Sequence, residues 1–222
     1  MTHPSLAALA VPGGSGVAAP LALRAAARIQ ERDWEEFLRS PTQLANGCRD
    51  LVDAIAPDVI IVTSPMVLAE EAADGPVTAA PHYAAALEAV GRLTESLTHR
   101  AAVGVCIPGP SVLVATGERT PEQAVTEVTE AGRVALHAGA HVVLIDEPEP
   151  IDGASLATLD NIARFHQAYV VVIGEAWGGV LGSSIVPLGD RTPGSGLTVT
   201  PGELGRGIDI SELADWVYDV TS

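Results

Sequence analysis

The sequence predicts an α/β protein on a parallel sheet: a (β/α)8 TIM barrel abbreviated at its C-terminal end, with an open doubly wound parallel sheet as the alternative. Three observations predict it. Apolar runs recur at 58–63, 101–107, 142–145 and 169–173, the pattern of strands covered on both faces. Segments with apolar residues at helical spacing separate them, and such alternation feeds parallel neighbours through crossovers. The chain has 222 residues, whereas a full barrel uses about 250. Five β/α units fit, and the remainder is too short for three ordinary ones. A single domain over 1–222 is expected.

Each element has a local reason. Leu6 to Val11 reads as a first strand running into the Pro12-Gly13-Gly14-Ser15-Gly16 loop. A helix is expected from about Pro20 through Arg24, Arg28 and Arg32, because proline suits a first helical position. Trp34 and Phe37 continue an apolar face. Ser40-Pro41 is a cap and first turn for a helix carrying Leu44, Cys48, Leu51 and Ile55. Residues 69–80, acidic and small, read as a surface loop, followed by a helix from about His82 to Leu97. Pro108-Gly109-Pro110 reads as a turn. Thr120-Pro121-Glu122-Gln123 has the residues of a capping box, and its helix breaks at Gly139. Further helices are expected at about 156–167 and 211–218. Between them, 174–207 is rich in Gly and Pro, with short apolar runs at 185–188 and 197–199.

The strand at 142–145 ends in Asp146-Glu147-Pro148. In parallel α/β architectures substrates meet the protein at the C-terminal ends of strands, so these carboxylates stand where chemistry is expected. Adjacent residues alternate faces, and only one of the two need enter a site. Glu175 ends the next strand and would lie on the order of 5 Å away at strand spacing. Asp146 and Glu175 are therefore the candidate catalytic pair, able to hold a shared proton or a divalent cation, although a solvated loop glutamate explains Glu175 as well.

Composition removes several functions. The formal charge is −16, against the clustered cations that a phosphate backbone requires, so no nucleic acid partner is expected. Every basic residue is arginine, which excludes a Schiff-base lysine, a lysine-anchored pyridoxal phosphate and a Walker-type lysine. Cys48 and Cys106 are isolated, and no Cys/His spacing suggests zinc. No cofactor and no metal is expected. Nothing reads as a membrane span or secretory leader, so the expected location is the cytoplasm.

Four landmarks between residues 24 and 150 resemble the uroporphyrinogen decarboxylase / cobalamin-independent methionine synthase superfamily of barrels. Phe37-Leu38-Arg39-Ser40-Pro41-Thr42-Gln43-Leu44 is similar to its "F…-[SN]-P-E-L" segment, and Asp58 to Ser64 to its strand ending in Phe-Ser-Asp. Val105 to Leu113 is similar to the "G-G-P-[FW]-T-L" turn, and Gly139 to Pro148 to the "Q-I-D-E-P" strand of the methionine synthase branch. The resemblance implies a decarboxylase-like enzyme using metal-independent acid–base chemistry on a carboxylate-bearing small molecule. Its alternatives are a methyltransferase of the methionine-synthase type and a non-catalytic ligand-binding or partner-stabilising relative. In the methionine synthases the aspartate similar to Asp146 contacts the substrate amino group. The substrate-carboxylate arginines of the decarboxylases fall near Arg24 and Arg28. The chain also departs from the family. Pro65 stands where the decarboxylases carry an aspartate, and Gly174-Glu175-Ala176 stands where the methyltransferases carry a zinc-binding His-x-Cys.

Further substrate-binding candidates are Glu147, Ser64, Gly109, Trp177 and Arg191. Gly109 or Ser111 could offer backbone N–H to an anion, although a rigid turn explains the motif as well. Trp177 with Gly178 and Gly179 would suit an aromatic lid. Arg24, Arg28 and Arg191 could hold a carboxylate through bidentate pairing, and a solvated helix face explains the first two equally. His137 and His141 flank the Gly139 break without sharing a helix face. An abbreviated barrel would leave strand edges to cover, so a homodimer is expected.

Overall fold

The computed structural model describes residues 3–6, 16–174, 177–180, 186–187, 196–200, 204 and 207–222. The chain is an α/β protein with parallel sheets. Its strands are β1 (Gly16–Ala19), β2 (Val59–Ile61), β3 (Ala102–Pro108), β4 (Val142–Asp146), β5 (Tyr169–Ile173), β6 (Trp177–Val180), β7 (Val186–Pro187) and β8 (Gly196–Val199). The helices are α1 (Leu23–Ile29), α2 (Trp34–Arg39), α3 (Pro41–Ile55), α4 (Pro65–Glu71), α5 (Pro81–Ser96), α6 (Pro110–Thr116), α7 (Pro121–His137), α8 (Ala157–His166) and α9 (Ile210–Thr221). Strands β2-β3-β4-β5 are parallel neighbours in sequence order, and β6 and β7 extend that sheet as antiparallel strands. β1 pairs in parallel with β8.

The apolar runs are buried on both faces, but by different partners. Ile60, Val62, Val103, Val105, Ile107, Val143, Ile145, Val170 and Val172 join one core with residues from every helix, α1 through α9. The alternate residues Val59, Ile61, Ala102, Cys106, Val142, Leu144 and Val171 form a second core. Val17 and Ala19 of β1, Leu197 of β8, and the non-helix residues Leu6 and Leu21 complete it. A period of two thus sends one set of side chains to the helices and the other to the opposing strands.

The two sheets meet at β1 and β2 through a side chain. Asp58 Oδ2 accepts the Ala18 N–H at 2.9 Å, and burial raises the Asp58 pKa above the usual aspartate value. On the other side, the Leu21 N–H donates to Thr200 Oγ1 at 3.0 Å, tying the chain after β1 to that after β8. Gly16 is required by close approach: a Cβ there would stand 2.2 Å from the Val220 carbonyl oxygen of α9.

Several expectations shift. The Leu6–Val11 strand is not seen where described: Leu6 closes a short 3-10 turn, and 7–15 lie outside the described residues. Gly16–Ala19, expected to begin as loop, is β1 instead. The region read as a surface loop holds the end of α4 and a 3-10 turn at Val77–Ala79. Pro108-Gly109-Pro110 leads directly into α6. The helix starts at Ser40 and Thr120 form as expected, with Ser40 Oγ accepting from Gln43 N–H and a complete capping box at Thr120.

The β1–β2 junction gives a direct test. Asp58→Ala should lower unfolding free energy by about 1 kcal/mol by removing the acceptor of the Ala18 N–H. Asp58→Asn keeps an acceptor without a partly buried charge and should stay near wild type. Urea denaturation of the two variants checks the contrast.

Candidate functional site

The C-terminal ends of β3, β4 and β5 form one row, in which Pro108, Asp146 and Ile173 are register partners. Alternation continues past the last strand residue. Asp146 shares the parity of Val142 and Leu144, which face the strand-lined core, whereas Glu147 shares that of Val143 and Ile145, which face the helices. The contacts bear this out.

Glu147 is buried and its carboxylate is fully engaged. Oε2 accepts the Ser111 N–H at 2.9 Å, Oε1 accepts the Glu149 N–H at 3.0 Å and also the Ser111 hydroxyl. Its own N–H donates to the Ile173 carbonyl at 2.8 Å. The Gly109 N–H donates to the Asp146 carbonyl at 2.7 Å. A Cβ on Gly109 would stand 2.7 Å from both Cβ and Oε2 of Glu147 and 2.8 Å from the Asp146 carbonyl oxygen. The turn expected to receive a substrate anion therefore receives the protein's own carboxylate. Gly109 and Glu147 are scaffold: together with Ser111 they fix the ends of β3 and β4 against the start of α6.

Asp146 differs in every respect. It is half-buried, and among the described residues its carboxylate makes no hydrogen bond. Burial, and secondarily the charge of Glu147, raise its pKa above the usual aspartate value. A carboxyl group so placed can accept from a substrate N–H or O–H, or donate a proton when protonated.

At the end of β2, Thr63 Oγ1 donates to the Cys106 carbonyl at 2.7 Å and accepts the Cys106 N–H at 2.6 Å. Ser64 is buried, caps α4 through the Val67 N–H, and donates its own N–H to His82 Nε2 at 2.9 Å. The opposite nitrogen, Nδ1, donates to the Leu38 carbonyl at 3.2 Å, which fixes the tautomer. Burial lowers the His82 pKa to about 4. Ser64 thus stands at the strand ends, but with its backbone committed to the fold.

Arg24 and Arg28 lie elsewhere. They line a groove of about 340 Å³ with Ala27, Glu31, Arg32, Asp33 and Trp34, and Asp146, Glu147 and Gly109 are not among its walls. The Arg24 guanidinium stacks 4.2 Å above the Trp34 ring, and Arg28 donates to the Ile208 carbonyl. Trp177 opens β6, where the backbone is described. Glu175 and Arg191 lie outside the described residues, so the expected Asp146–Glu175 pair has one located member.

Sequence reasoning missed the roles of His82 and Thr63, and it offered the Ser111 N–H to a substrate anion where the structure gives it to Glu147. Ser111 carries a signal, since a hydroxyl just past Gly-Pro faces the strand-end carboxylates. His82 carries none, because its partners Leu38 and Ser64 are distant in sequence. Among the described residues, no three His, Cys, Asp or Glu side chains come together as a metal site. Both cysteines are buried, and burial drives the Cys48 thiol up to about 12.

Three outcomes follow. Gly109→Ala should destabilise by about 2 kcal/mol, because the backbone and a buried carboxylate must move to admit one methyl. His82→Ala should cost about 3 kcal/mol, leaving a buried N–H and C=O without partners. His82 also sets an acid limb. Its pKa is lowered on folding, so its contribution is present above the unfolded value near 6.5 and lost as pH falls toward about 4. Thermal denaturation of wild type and His82→Gln across that window should show the wild type losing stability more steeply.

No family model matches the sequence, and no curated protein matches it. Among solved structures the chain is similar to a methyltransferase from Methanosarcina mazei, with a TM-score of 0.57 at 12% identity, covering 78% of this chain and 69% of that one. At that identity the likeness is one of fold.

Proposed function

We propose that this chain is a small-molecule enzyme on an abbreviated (β/α)8 barrel, with its site at the C-terminal ends of β2 to β5. Support for the barrel comes from the helices, which all contribute to one core, while side chains from both sheets meet in the other. A doubly wound sheet would place helices on both faces. The pairing of β1 with β8 and the sequence order of β2 through β5 support the same reading, with β6 and β7 as antiparallel additions to the larger sheet.

Methyl transfer is the activity we favour. The observation that carries the reading is Asp146: a half-buried carboxylate at a strand end, unsatisfied among the described residues, whose position is fixed by Glu147, Gly109 and Ser111. The similar structure is a methyltransferase, and the methionine synthase branch has an aspartate at the matching strand end. Asp146 would accept hydrogen bonds from a substrate amine or hydroxyl and hold it in line for transfer. Asp146 would act here by orientation and charge. A decarboxylase-like lyase is the second reading. It is favoured by the raised pKa of Asp146, which retains a proton to higher pH and can supply it to a carbanion.

Asp146→Asn separates a site from a structural carboxylate. The folded-state pKa is raised, so charging Asp146 costs stability as pH rises through that pKa. The variant should therefore gain thermal stability over wild type at pH 7, and the gain should vanish near pH 3. Incubation with methylated amines and thiol acceptors, followed by mass spectrometry, should show methyl transfer reduced at least about a hundredfold in the variant. Release of carbon dioxide from a carboxylate substrate without methyl transfer supports the lyase reading instead. Unaltered turnover in Asp146→Asn overturns both.

A further inference from the structure

We infer that the C-terminal ends of α7 and α8 form a two-histidine site for a first-row divalent metal ion of the zinc class. His137 is the last residue of α7 and His166 the last of α8. The two were 29 residues apart with no sequence signal linking them. In the fold their rings stand 4.8 Å apart between centroids, at 62° to each other. Two imidazoles bound to one ion through nitrogens about 2 Å from it, at roughly tetrahedral angles, have centroids about 5 Å apart.

The tautomer fits a ligand. His137 Nδ1 stands 2.8 Å from the Arg133 carbonyl, which can only accept, so Nδ1 carries the proton and Nε2 keeps its lone pair. A metal-bound imidazole is commonly held through its other nitrogen in this way. A second histidine pair shows the opposite case. His3 and His141 also stand 4.8 Å apart, but His141 Nδ1 accepts the Val103 N–H at 3.0 Å. Its proton is thereby placed on Nε2, and neither nitrogen is left for a metal.

The surroundings favour a cation and ask for no rearrangement. Both histidines end helices, where the backbone dipoles present negative charge. Thr158, Asn161, Ile162 and Phe165 line the same groove of about 390 Å³, which leaves water to complete the coordination. The two helices are packed closely: a Cβ on Gly132 of α7 would stand 2.7 Å from both methyl carbons of Leu159 in α8. The ligands are thus presented by elements already locked together. The site lies at the N-terminal ends of β4 and β5, opposite Asp146, and would tie two β/α units rather than take part in turnover.

The test titrates tag-free full-length protein with zinc chloride by calorimetry. One saturable equivalent is expected, and His137→Gln and His166→Gln should each weaken it at least about tenfold, whereas His99→Gln, at an exposed histidine elsewhere, should not. Copper(II) bound to the wild-type chain should show two imidazole nitrogens by electron paramagnetic resonance, a readout independent of how the variants fold. Binding that does not saturate near one equivalent, that survives both substitutions, or that gives a copper signal with fewer than two imidazoles overturns the site.

Discussion

Everything at the strand ends depends on how one buried carboxylate is satisfied. Glu147 is turned away from the strand-lined core and accepts from Ser111 and from the Glu149 backbone. An ionised carboxylate in such a place would otherwise cost several kcal/mol. Its engagement locks the turn after β3 to the turn after β4, and Gly109 provides the space for that contact. Asp146, one residue earlier, is then left facing the other way with its pKa raised. The same clamp that settles one carboxylate thus leaves its neighbour without a hydrogen bond among the described residues, and the proposed function rests on that neighbour.

The wider fold works by the same alternation. Strands β2 to β5 are apolar on both faces, and among the described residues one face meets the helices. The other is built from residues such as Val59, Ala102, Cys106 and Leu144, with Val17 and Leu197 of the second sheet packed among them. Small side chains allow the sheets to approach. β1 and β2 belong to separate sheets, and the Asp58 carboxylate bridges them by accepting the Ala18 N–H.

The α/β class with a parallel sheet and the middle of the chain were legible in the sequence because their signals are local. Four apolar runs mark β2 to β5, and Ser40 and Thr120 mark helix starts by capping chemistry. Ser64-Pro65 repeats the Ser-Pro start of α3, yet the acidic residues beyond it disguise α4 as a loop. β1 was illegible for another reason: Gly16–Ala19 is a strand by virtue of its pairing with Gly196–Val199, some 180 residues away. The site divides likewise. The place of Asp146 at a strand end could be read from the apolar run that precedes it. That Glu147 turns outward follows from parity, but its partner Ser111 and the buried His82 depend on tertiary approach. The arginines at 24 and 28 show the limit of spacing: their interval matches the family, but the structure gives them to a separate groove beside Trp34.

The most direct measurement of this account is the titration of Asp146 followed by carbon-13 NMR of its side-chain carboxyl, in wild type and in Glu147→Gln. Burial and the neighbouring charge should hold the wild-type pKa above the ordinary aspartate value of about 3.9, and removal of the Glu147 charge should bring it down. An Asp146 that titrates at or below the ordinary value and ignores the substitution would contradict the picture of a poised carboxylate held in place by its neighbour.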